Sequence, residues 1–299
     1  MNIQYKYVIQ LFLMLVVGIL ILPSCKKGNP NNLPSVSPAD FAGKIEGFDS
    51  SGQVASDQLI AYWGFNGTEA ESISGITPTS TSNATYIDNG VVGKAISLDS
   101  GYLYYASQIP ALDTSLKSFT VSEWVQIQNN GSTPTMTFSI ANPGQFWPDF
   151  AFLLETGWNP DSDTSDFIVH PSYADVNGGR QDNLNAPWTD NYKSPTIPPG
   201  KWINLVVTYD QNSQIFQIWA DGVMIGEPDY QNRGTAYFNP IVPNEVIIGG
   251  WYNNIPGKEL TSDTWTVPMV GKIDEIRVYK SALGAADIIA LYKLGVAGK

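Results

Sequence analysis

Twelve short segments, all between residues 59 and 279, constrain this chain more than any other feature. LIAYWGFN (59–66), GKAISL (93–98), GYLYYA (101–106), SFTVSEWVQI (118–127), TMTFSIAN (135–142), FAFLLET (150–156), DFIVHPS (166–172), KWINLVVTYD (201–210), QIFQIWA (214–220), VMIG (223–226), EVIIGG (245–250) and GKIDEIRVY (271–279) are rich in β-branched and aromatic residues. Gly, Pro, Asn and Asp bound them, the signature of strands separated by turns. Asp221-Gly222, between IWA and VMI, reads as a two-residue hairpin turn. Only the end of the chain changes period. Gly284 as N-cap, Asp287 in the first turn, and Leu283 and Ile288 spaced as a hydrophobic staple predict one helix, stopped by Gly295. Many short antiparallel strands with one terminal helix predict an all-β fold, a two-sheet antiparallel jelly-roll sandwich. No period of roughly 20–50 residues repeats, which excludes a propeller or solenoid.

Residues 1–24 stand outside this pattern. Lys6 precedes the apolar run VIQLFLMLVVGILIL (8–22), the layout of a secretory signal. Leu22-Pro23-Ser24-Cys25 resembles the bacterial lipobox, where a peptidase cuts just before a cysteine that becomes lipidated. Cys25 is the only cysteine, so no internal disulfide, zinc cluster or redox pair can form. Acylation at Cys25 would hold the protein on a membrane without spanning it. Lys26 follows, not the aspartate that retains enterobacterial lipoproteins at the inner membrane, so an outer-membrane, cell-surface location is expected. Residues 25–57 are rich in Asn, Pro, Ser and Gly and read as a flexible tether, leaving 58–299 as the folded domain. Anchor and tether together resemble lipoproteins of the Bacteroidetes style.

The net charge of −12 excludes nucleic acid and anionic lipid surfaces as partners. A neutral glycan is indifferent to that charge, whereas a polyanionic one needs a local basic site.

LIAYWGFNG, GKAISLDSG, FTVSEWVQ, GKWINLVVTYD, IFQIWADGVMIG, EVIIGG and VGKIDEIRVYKSALGAADIIALY follow one another in the chain. In order and spacing they resemble the LamG-like jelly-roll domains of the concanavalin A-like lectin/glucanase superfamily, over roughly 59–294. The last block, a strand followed by Leu-x-x-x-x-Ile-x-x-Leu-Tyr, is the most diagnostic. Asn66 stands where the family often has Asp, and Gly284 where it often has Ser or Thr. Residues 128–200 form an aromatic-rich middle with little fixed family pattern. The resemblance implies a scaffold that hosts many roles, so function must be argued from a site.

Carboxylates are the first place to look for catalysis. Asp274 and Glu275 are adjacent, so on a regular strand they point to opposite faces. A glycosidase needs its pair on one face. The expected alternative is structural: Glu275 pairs with Arg277, and Asp274 binds loop backbone. Glucanases of this superfamily carry an E-x-D-x-x-E strand; the nearest string, Glu227-Pro228-Asp229-Tyr230-Gln231-Asn232, lacks the last carboxylate and contains a proline poorly suited to a central strand. Glu123 alternates with Phe119, Val121, Val125 and Ile127 and so lies on an apolar face, as a general acid or as a satisfied structural group. His170 is the only histidine, so any Ser-His-Asp arrangement would rest on it alone. Asp161, Asp163 and Asp166 suggest a calcium loop but lack the glycine and distal Glu of an EF-hand, and a solvated acidic loop is the alternative. The family resemblance keeps a structural Ca²⁺ open; no other cofactor is expected.

Aromatics point elsewhere. Trp63, Trp124, Trp202 and Trp219 fall in strand blocks and are expected in the core. Trp147, Trp158, Trp188, Trp251 and Trp265 fall in loop-like text beside Asn, Asp or Gly. Flat aromatic rings bury the apolar C–H faces of sugars while amides catch the hydroxyls. The expected binding face joins Trp251, Tyr252 and Asn253 with Trp188, Arg180 and Asn185, and Trp158 as a third wall. Loop tryptophans serving as small cores of their own are the alternative. Three functions remain open: a glycan-binding surface lipoprotein, a glycoside hydrolase or lyase, and a protein-binding module for envelope partners. The anchor makes its own prediction: Cys25→Ser should abolish lipidation and shift the protein out of the membrane fraction. Unchanged mass and fractionation of the variant would refute it.

Overall fold

The computed structural model describes residues 43–127, 133–155, 168–185 and 201–299. These contain strands β1 (Leu59–Trp63), β2 (Ser80–Ile87), β3 (Ala95–Tyr105), β4 (Phe119–Ile127), β5 (Thr135–Ala141), β6 (Phe150–Glu155) and β7 (Ile168–Val169). They continue with β8 (Ser172–Ala174), β9 (Arg180–Asp182), β10 (Ile203–Asp210), β11 (Ile215–Ala220), β12 (Val223–Met224), β13 (Glu245–Ile248) and β14 (Met269–Tyr279), and then helix α1 (Ala285–Val296). One hydrogen-bonded path runs β12-β11-β10-β4-β14-β3-β13-β5-β6-β8-β9, with β1 on β14, β2 on β3 and β7 on β6.

The path curls over itself into a sandwich. Alternate residues of a strand share a face. Val121, Val207, Ile218 and Val278 of β4, β10, β11 and β14 therefore meet Ile140, Phe152, Tyr173 and Val246 of β5, β6, β8 and β13 in one core. Trp63 packs edge-to-face on Tyr105 and Phe138, with centroids 5.9 and 5.6 Å away. Strand β3 carries the sheet around the corner: residues 96–101 pair with β14, and 103–105 pair with β13. Between them Ser100 takes φ 54°, and a Cβ on Gly101 would come within 2.5 Å of the Ser82 and Asn83 carbonyl oxygens. The two predicted segments 93–98 and 101–106 are thus one bent strand. Strands β2 and β9 were not foreseen. Both are polar, and β2 lines an edge where Ser, Thr and Asn leave no apolar alternation to read.

Three expectations need correction, and the rejection of a catalytic strand at 227–232 stands. Residues 43–57, expected in the tether, belong to the domain: Ile45 and Phe48 form a bridge, and Val54 is buried in a cluster with Leu283 and Leu291. The compact unit that holds them spans Gly43–Lys299. Gly284 caps α1 and Leu283 and Ile288 are buried together as expected, but Gly295 does not stop the helix. It lies under the Trp124 indole, where a Cβ would come within 2.4 Å of Cζ2; the chain turns only at Gly298, φ 69°. Strand β14 is not regular. Its register on β4 shifts between Asp274 and Arg277, and Glu275 takes φ 53°, so Ile273 and Ile276 both face the core. Residues 228–230 form a 3₁₀ turn capped by Glu227, not a strand.

The structural roles expected for the paired carboxylates are present. Asp274 Oδ2 accepts from the Val91 and Val92 N–H groups at 2.8 and 3.2 Å. Glu275 accepts from Tyr62 Oη at 2.6 Å and from Arg277, whose other bond goes to Ser51 Oγ at 2.8 Å. Neither carboxylate faces a cleft, and both are buried.

Glu123 faces the core between the sheets, fully buried. Thr137 Oγ1 lies 2.6 Å from its Oε1 and 3.2 Å from the Phe152 carbonyl. A hydroxyl has one hydrogen to give. A protonated Glu123 donating to Thr137 frees that hydrogen for Phe152, so the neutral acid satisfies both contacts. Burial pushes its pKa to about 8, only partly opposed by Thr137.

Two predictions follow from this packing. Gly295→Val should overpack the Trp124 contact at a cost of about 2 kcal/mol, lowering Tm by roughly 4–8 °C; an unchanged melt would refute the contact. Glu123, neutral in both states below its ordinary pKa of 4.5, ionises only in the unfolded chain between there and about 8. Its contribution is therefore lost as pH rises through that window. Glu123→Gln should gain Tm over wild type progressively from pH 4.5 to 8; a gap independent of pH would refute the neutral acid.

Candidate functional site

The outer face of the β13-β5-β6-β8-β9 half carries the aromatic loops. The β5–β6 connection leaves Ala141 through Asn142-Pro143-Gly144, with Gln145 N–H bonded to the Asn142 carbonyl at 3.0 Å and Gly144 at φ 76°. This turn throws Phe146 and Trp147 back across the sheet. The β13–β14 connection arrives from the other side. Gly249 takes φ 78°, Tyr252–Asn254 make a 3₁₀ turn, and Asn254 Oδ1 accepts from Trp251 N–H at 2.8 Å.

The loops meet as a four-ring cluster. Trp251 stacks on Phe146 at 5.8 Å and meets Trp265 and Trp147 edge-on at 5.0 and 5.6 Å. Met136, Ala151 and Leu153 of the sheet floor it. Trp251 is 1% exposed and Trp147 40%. Trp147 is thus the ring at which the cluster reaches solvent. Between the loops lies a narrow recess of about 10 Å³, lined by Ser139, Gln145, Phe146, Pro148, Gly250 and Trp251 among others.

Strand β9 supplies the polar side. The Arg180 guanidinium sits 5.3 Å from the Trp147 ring centroid and donates to the Pro148 carbonyl at 2.6 Å and Ser172 Oγ at 2.7 Å. It therefore fixes the residue next to Trp147 as well as the ring. Burial lowers its pKa to about 10, against the pull of Asp149 and Asp182. Asp149, buried behind the loop, accepts from Ile241 N–H at 2.7 Å, and burial pushes it up to about 6. Two residues from Arg180, Asp182 Oδ2 lies 2.9 Å from His170 Nε2, while Glu155 Oε1 lies 3.0 Å from His170 Nδ1. Burial pulls the imidazole down, but the two carboxylates more than offset it and hold it at about 9. His170 is therefore an imidazolium at neutral pH that clasps β6 to β9. With both nitrogens engaged it has no lone pair to offer as a base.

The sequence-predicted site residues divide accordingly. Arg180 is in the site. Trp251 is beside it but turned inward, so it backs the platform and is not the platform. The glycines before it leave no room for a ligand, because Leu98 fills the space at Gly249 and Tyr102 that at Gly250. Tyr252 is buried, its hydroxyl bonded to Gly144 N–H and Lys258 Nζ, both at 3.3 Å. Asn253 spends its side chain on its own loop, accepting from Leu260 N–H at 2.9 Å and donating to Thr261 Oγ1 at 2.7 Å. Asn185 is buried and accepts from Val169 N–H at 2.5 Å, so it pins a strand end. Trp158 and Trp188, and the Asp161–Asp166 run considered for Ca²⁺, lie outside the described residues. Among the described residues no group of three His, Cys, Asp or Glu has metal-binding geometry. Sequence reasoning missed Trp147 as the exposed ring. The one signal for it was the flanking Gly144 and Pro148, which place it at a loop crest.

A search of curated protein sequences returns no match. Among solved structures, the fold is similar to domain 4 of AbnA, a GH43 extracellular arabinanase from Geobacillus stearothermophilus, in complex with arabinotriose. That likeness has 19% identity and a TM-score of 0.50 and covers 78% of this chain and 98% of that one. It is similar also to the binding domain of Paraclostridial Mosquitocidal Protein 1, at 12% identity and TM-score 0.50, covering 79% of this chain and 52% of that one. A third similar structure is the Trypanosoma rangeli sialidase in complex with 2,3-difluorosialic acid, at 11% identity and TM-score 0.50, covering 80% of this chain but 33% of that one. At these identities the likeness establishes the fold alone. The family profile described as the concanavalin A-like lectin/glucanases superfamily matches residues 99–289, from the middle of β3 into α1, and the chain belongs to that superfamily.

Proposed function

We propose that this protein is a carbohydrate-binding module, held at the cell surface by a lipid on Cys25, that seats a poly- or oligosaccharide against Trp147. One observation carries the reading: an indole 40% exposed on a rigid bed of Phe146 and Trp251, with a guanidinium beside it. An exposed aromatic costs solvation unless something covers it, and a fixed ring loses little entropy on binding. A sugar supplies the matching apolar face, with hydroxyls for Arg180 and Gln145 at the rim. The arabinanase domain that holds arabinotriose supports the reading at the level of fold.

The carboxylates considered for hydrolysis favour binding over cleavage. Asp274 and Glu275 are committed to loop backbone, Tyr62 and Arg277, and Glu123 is enclosed in the core. The chain enters the domain at Gly43, beside Lys299 and α1, which cover the outer face of the β4-β10-β14 half. Trp147 stands on the outer face of the other half.

Calorimetry with a glycan panel tests the site. Trp147→Ala should weaken binding by about 2 kcal/mol, roughly thirtyfold, with Tm within a few degrees of wild type. Trp251→Ala removes a buried ring and should cost about 3–5 kcal/mol of stability. Full affinity in Trp147→Ala would overturn the platform, and an unshifted melt in Trp251→Ala would overturn its role as the bed.

A further inference from the structure

Five of the twelve described Lys and Arg residues have a carboxylate oxygen within 4.0 Å, and Lys44 with Asp49 is the loosest such pair. Lys94 pairs with Asp88, Lys258 with Glu245, Lys293 with Glu46, Arg277 with Glu275, and His170 with Glu155 and Asp182. Among the seven Lys and Arg residues that do not, Arg180 in β9 and Arg233 beside it are the two arginines, and both are partly buried. Among the described residues neither has a carboxylate oxygen within 4.0 Å. Arg180 donates only to the neutral oxygens of Pro148 and Ser172, and Arg233 to the Asp182 backbone carbonyl at 3.0 Å. The Nε of each is buried without an acceptor.

The carboxylates nearby are already spent. Asp182 and Glu155 hold His170. Asp149 holds the Ile241 N–H, and Asp175 holds the Asn177 and Gly179 N–H groups and Gln181. The rim beside Trp147 therefore has N–H donors in excess of acceptors. That is unexpected in a chain of net charge −12. A half-buried guanidinium with no carboxylate in direct contact keeps unused donors, and a planar fork best receives an oxyanion with two oxygens. Each terminal nitrogen of Arg180 carries two hydrogens and uses one within the protein.

We infer that the sugar taken at Trp147 is acidic, and that Arg180 receives its carboxylate or sulfate while the ring packs on the indole. This rests on the proposed glycan-binding role and names the class of glycan. The global negative charge does not oppose it at short range: at physiological ionic strength screening acts over about 8 Å, so the guanidinium in contact decides. Arg180 both recognises the acid and positions Trp147, and these roles separate experimentally. Loss of positioning weakens neutral and acidic sugars alike. Loss of recognition removes only the preference between them.

The test is calorimetry at 0.15 M salt on the full chain, its Arg180→Lys and Arg180→Gln variants, and matched probes. The probes are oligogalacturonate and its neutral methyl ester, and a sulfated galactan oligosaccharide and its unsulfated parent. The expected result is at least a tenfold preference for one acidic probe over its neutral partner. That preference should shrink severalfold in Arg180→Lys, which keeps the charge without the fork, and vanish in Arg180→Gln, both with wild-type melts. Which acidic probe wins separates carboxylate from sulfate. Equal affinity for acidic and neutral members, or a preference that survives Arg180→Gln, would overturn the inference while leaving glycan binding in place. Absence of binding to every probe, neutral and acidic, would overturn both. If Arg180→Gln unfolds, Arg180→Lys decides: an undiminished preference there refutes the fork.

Discussion

Strand β14 can bond to three neighbours only because its ladder is broken at Glu275. Its first half pairs with β3, its second with β1, and β4 runs along its other edge. A regular strand would keep one side-chain alternation throughout and send Ile273 and Ile276 to opposite faces. The positive φ at Glu275 resets the alternation, so both isoleucines enter the core. A residue in that conformation is strained unless its surroundings hold it. Here they do: Asp274 is fastened by the Val91, Val92 and Glu275 N–H groups, and Glu275 by Tyr62 and Arg277. The carboxylate pair is the clasp that holds the break in β14.

Once the sheet is closed, its two outer faces remain to be covered, and the chain covers them differently. The β4-β10-β14 side receives α1 and residues 45–59, with Trp124 against Tyr292 and Gly295. That face is sealed by a helix stripe of the usual kind. The opposite side receives two long loops, whose aromatic rings bury one another over Met136, Ala151 and Leu153. Loops cover a sheet less completely than a helix, because their backbone polar groups must also be satisfied. The β13–β14 loop meets that demand with the Asn253 and Asn254 side chains, and the cluster reaches solvent at Trp147. The candidate site is where this second cover ends, beside the strand that brings Arg180.

Much of this could be read in advance and some could not, for definable reasons. The strand blocks around Glu123, Trp219 and Arg277 were legible because apolar alternation and turn residues are local signals. The same logic made the Glu275–Arg277 pair and the Asp221-Gly222 turn visible; both turn residues do take positive φ. It failed at β2 and β9, whose residues are polar on an edge. It failed at Trp251 too, because a tryptophan after two glycines looks alike in text whether the space they leave is open or filled by Leu98 and Tyr102.

The amino-acid sequence by itself determined the all-β class, the order of the segments, the terminal helix and the supply of loop aromatics. Each of these depends on neighbours within a few residues. Only the tertiary structure decided which aromatic faces water. The pairs Phe146–Trp147 and Trp251–Trp265 come from loops about a hundred residues apart and compete for one sheet face. Packing buries three of them in different degrees and leaves Trp147 at the rim. The same holds for Arg180, a polar residue on a three-residue edge strand. Its significance comes from standing 5.3 Å from that ring with no carboxylate oxygen within 4.0 Å among the described residues. Burial and charge compensation are properties of the assembled surface, and no window of sequence contains them.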